Sequence, residues 1–170
     1  MIRFAQEEDL NQIVNIYNQA IINGTTADTI PYKVSDKLNW FKEHSTEFYP
    51  IYIKEEYGKI RGWCSISHYR TGRLAVARTA EISYYVDYSY HRQGIGSDLI
   101  SYALQDCIRI EKKTLIAIIL ENNIPSINLL SKFGFGQWGF MPDVAEFGKK
   151  TLGHLFLGKK IDYERIIQVQ

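Results

Sequence analysis

The sequence has little cysteine, little net charge and few features of a nucleic-acid or metal-binding protein. Its 170 residues include two cysteines, Cys64 and Cys107, and carry a formal net charge of +1. One thiol falls in a predicted strand and the other on the apolar stripe of a predicted helix, which favours buried reduced cysteines over a disulfide or a metal site. Scattered basic residues give no electrostatic footprint for nucleic acid or an anionic membrane. We therefore predict no metal, no nucleic-acid partner and no membrane partner.

Targeting signals and long apolar runs are also missing. The stretch from Met1 to Asp9 reads as neither a signal peptide nor a transit peptide, and no apolar run has the length that spans a bilayer. We therefore expect a cytoplasmic protein. Hydrophobic residues make up 45% and charged residues 23% of the chain, which is typical of a globular protein. The length predicts a single domain over residues 1–170.

Two common nucleotide-binding loops are excluded as well. Gly94 and Gly96 form a Gly-x-Gly pair, but a Rossmann loop would need a third glycine where the chain has Leu99. A Walker loop would need Gly-Lys-Ser or Gly-Lys-Thr, which does not occur. The glycine pair must therefore be interpreted from its own surroundings.

Those surroundings are a predicted strand followed by a predicted helix. Residues 80–86 are rich in β-branched and aromatic side chains, and apolar residues recur at every fourth position from Ile95. Two glycines let the backbone approach a ligand, and the free amides of the first helical turn then point at it with the positive end of the helix dipole behind them. The junction predicts a site for an anion such as a pyrophosphate.

The rest of the chain alternates helices and strands. The patterns predict strands over 2–5, 51–54, 60–69, 114–120, 137–140 and 149–161, and helices over 10–21 and within 123–135. The second of these helices has Pro125 near its start and Gly134 just past its end. Ser35 is expected to cap a further short helix, after which His44 is expected to face solvent. Pro142 and Asp143 are expected to form a turn between the last two strands.

Several of these motifs resemble those of the GNAT N-acetyltransferases. The heptapeptide from His91 to Ser97 is similar to the acetyl-CoA pyrophosphate loop of that superfamily, with His91 where Arg or Gln is usual. The segment from Asn123 to Phe135 is similar to its second motif. Arg73, Thr79 and Glu81 match the pattern of the phosphinothricin acetyltransferase branch, and the resemblance extends from residue 2 to residue 161.

The resemblance implies an α/β fold of the GNAT type, with a mixed central β-sheet flanked by helices and a splayed acetyl-CoA cleft. It implies an N-acetyltransferase that moves acetyl from acetyl-CoA to the primary amine of a small amino acid or analogue, similar to phosphinothricin or methionine sulfoximine, and that forms a homodimer. The residues expected to bind the cofactor are Tyr85, Val86, Arg92, Gln93, Gly94, Gly96, Ser97, Asn123 and Ser126.

Glu81 is the predicted general base. It shares one face of its strand with Ser83 and Tyr85, because side chains alternate along a strand. Direct aminolysis of a thioester needs a base for the amine and a donor for the oxyanion, and a backbone N–H near Tyr85 or Val86 could be that donor. The residues expected to bind the acceptor are Thr26, Asp28, Arg73, Arg78 and Thr79, and the arginines could hold a carboxylate with two parallel hydrogen bonds.

One position departs from the family and leaves alternatives open. Leu130 stands four residues before Gly134, where the superfamily often has Tyr and the branch often has His, so any general acid must come from elsewhere, such as Tyr84 or Tyr85. A non-catalytic acyl-CoA-binding or regulatory module is one alternative. An acetyltransferase acting on protein N-termini or polyamines is another. Glu81 beside an intact cofactor loop favours an enzyme.

Overall fold

The computed structural model describes residues 1–163. These residues contain seven strands and four α-helices. The strands are β1 Ile2–Phe4, β2 Ile51–Glu56, β3 Lys59–His68, β4 Thr79–Val86, β5 Thr114–Leu120, β6 Gly136–Phe147 and β7 Lys150–Lys160. The helices are α1 Leu10–Ile22, α2 Leu38–Lys42, α3 Ile95–Asp106 and α4 Ile124–Lys132. The predicted single domain also includes residues 164–170, which lie outside the described residues.

The strands form one mixed sheet in the order β1-β2-β3-β4-β5-β7-β6. All neighbouring strands are antiparallel except β4 and β5, which are parallel. This parallel pair is short, because only residues 79–81 of β4 are in register with residues 114–116 of β5. Beyond Glu81 the two strands part, although β4 stays paired with β3 as far as Val86. The mixed sheet and its splayed centre are as predicted.

Helices cover both faces of the sheet. The larger buried cluster lies on the α3 and α4 side and includes Leu99, Ile100, Leu115 and Leu130. A smaller cluster on the other side packs α1 and the aromatic ring of Trp40 against β2 and β3. Residues 114–117 of β5 are all buried, as expected for a strand covered on both faces. Burial of these apolar surfaces is the main driving force for the fold.

The region around α2 differs from the sequence prediction. Ser35 lies inside a short 3₁₀ turn, Val34–Lys37, rather than at a helix cap. The residue before that turn, Lys33, has the extended backbone of a cap, and its amide donates to the carboxylate of Asp36 at 2.8 Å. The expected cap at Ser35 is therefore wrong, because an acidic residue three positions along the turn satisfies the free amide instead.

The last hairpin also differs. Pro142 and Asp143 do not separate two strands but fall within β6, at a register shift between Met141 and Ala145. The chain reverses at Gly148, where φ is +63°. A bulge lets an antiparallel strand continue past a proline, since the bulged residues leave the ladder.

Both cysteines are buried and free, as predicted. Among residues 1–163 no helix has the length and hydropathy to cross a membrane. The same part of the chain contains no cluster of His, Cys, Asp and Glu side chains with the arrangement of a metal site.

Candidate active site

A cavity of about 540 Å³ lies at the start of α3. The residues of the 91–97 segment that line it are His91, Arg92, Gly94, Ile95, Gly96 and Ser97. Gly94 precedes the helix with a left-handed φ of +82°, and Arg92 also has a positive φ of 62°. The first amide of α3 that finds a helical partner is that of Asp98, which donates to Gly94 O at 3.0 Å. The amides before it remain available to an anion, because the first turn of a helix has no internal acceptors for them.

His91, the residue that departs from the family pattern, fixes the loop to the central strand. Its Nε2 lies 3.0 Å from the carbonyl oxygen of Val86, and its ring stacks on Tyr88 with centroids 4.3 Å apart. A donor from His91 to that carbonyl ties the start of the loop to the end of β4. The substitution therefore has a structural role here.

The opposite wall of the cavity comes from α4. Asn123 caps this helix, since its Oδ1 accepts from the amide of Ser126 at 3.3 Å. Its Nδ2 donates to Thr25 O at 3.3 Å, which ties the loop after α1 to the same wall. Leu129 and Lys132 also line the cavity and were missed in the sequence. Their spacing from Pro125, at i+4 and i+7, places all three on one helix face and could have identified them.

The gap between β4 and β5 forms a second cavity of about 390 Å³. The amide of Asp87 donates to Arg61 O at 2.9 Å, and β3 and β4 are in register from there back to Ala80. Bonded and non-bonded pairs alternate along an antiparallel ladder, so Tyr85 is bonded to β3 while the amides of Tyr84 and Val86 point away from β3. Tyr84 lines the gap, and Val86 lines the adjoining cavity at the start of α3. The register thus gives Val86, rather than Tyr85, a free backbone donor.

A third cavity, of about 170 Å³, lies on the α1 side of the sheet. Glu81, Ser83 and Tyr85 line it together, as their alternation along the strand predicts. The other walls are Ile13, Val14, Tyr17, Lys37, Trp40, Trp63, Ser65 and Ser67. Glu81 also lines the gap, so this carboxylate lies where the two cavities meet. Burial raises the pKa of Glu81, which makes the carboxylate a stronger base than an exposed one.

A hydrogen-bonded tyrosine connects this cavity to the loop after α1. Tyr17 donates to the carboxylate of Asp28, and its hydroxyl lies 3.3 Å from Thr26 Oγ1. The Tyr17 ring meets that of Tyr85 edge-on, with centroids 4.8 Å apart. Burial raises the pKa of Tyr17, so its hydroxyl stays protonated and acts as a donor. Thr26 lines the gap, whereas Asp28 lines none of the three cavities and accepts the hydrogen bond from Tyr17.

The prediction that His44 faces solvent is wrong. His44 is half-buried, with Nδ1 2.8 Å from Trp40 O and Nε2 3.0 Å from Ser67 Oγ. Because a carbonyl oxygen only accepts, we assign the proton to Nδ1, and Nε2 then accepts from the Ser67 hydroxyl. The lone pairs of Ser67 remain free toward the cavity, directly across the strand pair from Glu81. Burial also lowers the pKa of His44, which keeps the ring neutral.

Other predicted site residues lie outside the three cavities. Arg78 is paired with Glu111 at 3.6 Å on the surface, and Arg73 is exposed. Thr79 begins β4 opposite Thr114. Gln93 is exposed and, unlike its neighbours, does not line the cavity at the start of α3. The structure therefore does not bring the two arginines to Glu81, and their role in binding the acceptor stays a prediction.

Tyr84 lies where the two larger cavities adjoin. It lines both of them, and its hydroxyl lies 3.5 Å from Ser126 O. Burial raises its pKa to about 12. Leu130, in contrast, is fully buried in the main core and lines none of the three described cavities. Tyr84 is thus a hydroxyl close to the gap, which Leu130 cannot supply.

The three cavities fit an extended ligand with a pyrophosphate at one end. Free amides at α3 suit the phosphates, and unpaired amides of β4 suit a chain with amide groups lying in the gap. The cavities adjoin, since the gap shares Tyr84 with one and Glu81 with the other. Such a ligand would therefore reach Glu81 with its far end.

Comparisons with known proteins agree with this arrangement. Residues 10–135 match the acetyltransferase (GNAT) family. The chain is 37% identical over 162 residues to YwnH of Bacillus subtilis, a provisional phosphinothricin acetyltransferase, covering 94% of this chain and 98% of that protein. It is 31% identical over 155 residues to the L-methionine sulfoximine/L-methionine sulfone acetyltransferase of Salmonella typhimurium, covering 87% of each.

Solved structures give the same result. The fold matches a GNAT superfamily phosphinothricin acetyltransferase from Sinorhizobium meliloti, solved in complex with acetyl-CoA, with a TM-score of 0.88 and 26% identity. The match covers 95% of this chain and 88% of that one. A protein of the same fold therefore binds acetyl-CoA, an extended ligand with a pyrophosphate at one end.

Proposed function

The chain belongs to the GNAT acetyltransferase family and uses acetyl-CoA, and from this premise we propose that its acceptor is the α-amine of a small amino acid or analogue, similar to phosphinothricin or methionine sulfoximine. The observation that carries the proposal is the position of Glu81 between the gap and the small cavity. A pure binding module would need no carboxylate there. The names of the relatives, which include an amino-acid analogue acetyltransferase, support the acceptor class.

Acetyl-CoA supplies the acetyl thioester. We propose that Arg92, Gly94, Gly96 and Ser97 hold its pyrophosphate end, with Asn123 and Ser126 on the other side. We call the cavity at the start of α3, which these residues line, the cofactor cavity. Gln93, which does not line the cavity, keeps the role predicted from its place in the loop.

Glu81 takes a proton from the acceptor amine, either directly or through a water molecule. Its raised pKa brings the carboxyl closer to the pKa of the acceptor amine from which it takes the proton. The amide of Val86, which the register directs away from β3, donates to the acyl oxygen as negative charge develops there. No covalent intermediate on the protein is required, because the amine attacks the thioester directly.

The role of general acid falls to Tyr84 in this proposal. Its hydroxyl is protonated at neutral pH, as that of any tyrosine is, and burial raises its pKa further, to about 12. It lies between the cofactor cavity and the gap. Release of the thiolate without protonation is the alternative, since a thiolate is a stable leaving group.

A screen of acceptors by thiol release tests the proposed function. The purified protein is incubated with acetyl-CoA and with free amino acids, L-methionine sulfone, phosphinothricin, amino-acid amides and polyamines. We expect free amino acids or their analogues to give the highest kcat/KM. Faster turnover of amides, polyamines or peptide N-termini would overturn the acceptor class and favour the polyamine or protein alternative. The cytoplasmic location and the homodimer stay predictions.

A further inference from the structure

The small cavity beside Glu81 contains one cation, Lys37, whose role the sequence did not indicate. Lys37 ends the short 3₁₀ turn before α2 and lines the cavity opposite the sheet. Its ammonium lies 3.8 Å from the centroid of the Tyr32 ring, 5.0 Å from that of Tyr17 and 5.9 Å from that of Trp40. We call Tyr17, Tyr32 and Trp40 the aromatic collar. The ammonium is therefore held in place by ring faces rather than extended into solvent.

Lys37 has no ion-pair partner within the described part of the chain. Burial lowers the pKa of Lys37, and the carboxylate of Asp28, which opposes that shift, already accepts from Tyr17. Ring faces attract a cation, but they only partly replace the water and counter-ion that a half-buried ammonium loses. A cation in this state gains most from a ligand that brings an anionic oxygen.

The two charged groups of the cavity are complementary to a zwitterion. Glu81 lies on the sheet side of the cavity and Lys37 on the helix side. The hydroxyls of Ser65 and Ser67, both on β3, also line it. An amino acid carries an amine and an acidic oxygen group on the same small molecule, so both ends find an opposite charge. The predicted arginine clamp is less well placed, because Arg78 pairs with Glu111 and Arg73 is exposed.

We propose that Lys37 binds an anionic oxygen group of the acceptor and so positions its amine beside Glu81. This inference rests on the proposed function and adds the residue that selects acidic acceptors. The group could be the α-carboxylate or an acid on the side chain, such as the phosphinate of phosphinothricin. Both offer the same oxygen chemistry to an ammonium.

The test compares Lys37→Met, Lys37→Arg and the wild type by steady-state kinetics. Methionine keeps an unbranched apolar side chain only one atom shorter than lysine, while removing the charge. The matched control is Lys42→Met, which makes the same change at an exposed position of α2. We expect Lys37→Met to raise the KM for the acceptor about 10- to 100-fold, the loss typical of a hydrogen bond to a charged group. The KM for acetyl-CoA and the effect of Lys42→Met should stay within about twofold of wild type.

Three acceptors identify the group that is bound: L-methionine sulfone, its methyl ester and phosphinothricin. If Lys37 binds the α-carboxylate, the free sulfone loses affinity in Lys37→Met and the ester loses none further, because the interaction is already absent. If it binds the side-chain acid, only phosphinothricin loses affinity. Both results support the proposal, and Lys37→Arg should restore part of the loss.

Two other results separate the inference from its premise. Efficient acetylation of amino acids by wild type together with unchanged acceptor KM values in Lys37→Met would overturn the role of Lys37 and leave the proposed function intact. Turnover by wild type only of amines that lack an acidic group would overturn both.

Discussion

Replacing Leu130 by alanine separates packing from chemistry at the position where similar enzymes often have a proton donor. The side chain is 0% exposed and belongs to the main core, so the substitution removes buried apolar volume. Leucine-to-alanine changes at such sites cost about 2–5 kcal/mol, because the cavity collapses only in part. For a protein of this size each kcal/mol lowers Tm by about 2–4 °C, which gives a fall of about 4–20 °C.

The matched control is the next residue, Leu129. It lines the cofactor cavity, and a Cβ at Gly96 would lie 3.0 Å from its Cδ2. Leu129→Ala should therefore raise the KM for acetyl-CoA with a smaller loss of stability, whereas Leu130→Ala should leave kcat within about threefold of wild type at a temperature where it is folded.

Urea denaturation gives the free energy of unfolding for both variants, and thiol release gives their kinetics. A hundredfold fall in kcat for Leu130→Ala with an unchanged urea midpoint would refute this reasoning. It would mean that the Leu130 side chain contributes to the reaction in a way that its buried position does not provide.

Three further predictions concern the base, the loop and a buried histidine. Glu81→Gln keeps the shape of the side chain and removes its basicity, so kcat should fall about 10²- to 10⁴-fold with the KM for acetyl-CoA unchanged. A near-normal rate from acid to alkaline pH would show that Glu81 is not the base and only contacts the acceptor. Gly94→Val should weaken acetyl-CoA binding in a thermal-shift titration more than Gly148→Val, because both glycines have a left-handed φ but only Gly94 lines the cofactor cavity; equal titrations would argue against the loop as the phosphate site. Burial lowers the pKa of His44 below its usual 6.5, so the unfolded chain binds more protons and the free energy of unfolding should fall as the pH drops below about 6.5. Urea titrations of His44→Gln should show a shallower fall, with His68 retaining part of it because its pKa is also lowered; an unchanged slope would contradict the assignment.

The parts of the site that follow from local pattern could be predicted from sequence. Glu81, Ser83 and Tyr85 share a cavity because alternation along a strand is a property of the backbone. The loop at Gly94 could likewise be located, because glycine is favoured where φ is positive.

The parts that depend on distant contacts could not. Lys37 and His44 lie in polar stretches typical of an exposed face. Only the packing of the α2 region against the sheet brings Lys37 to the small cavity and His44 to Ser67, which lines that cavity. The pairing of Arg78 with Glu111 has the same origin, since it joins residues far apart in the chain. The continuation of β6 past Pro142 depends on its register with β7, which no local turn signal contains.

Where β4 parts from β5, packing and ligand binding use different atoms of the same residues. The side chains of Ile82 and Tyr84 pack toward the main core, while their amides point into the gap. Selection for packing therefore acts on the side chains, and selection for ligand binding acts on the main chain. The residue types along this edge can therefore change without loss of the backbone donors, and proline, which has no amide hydrogen, is the one amino acid that this edge must avoid.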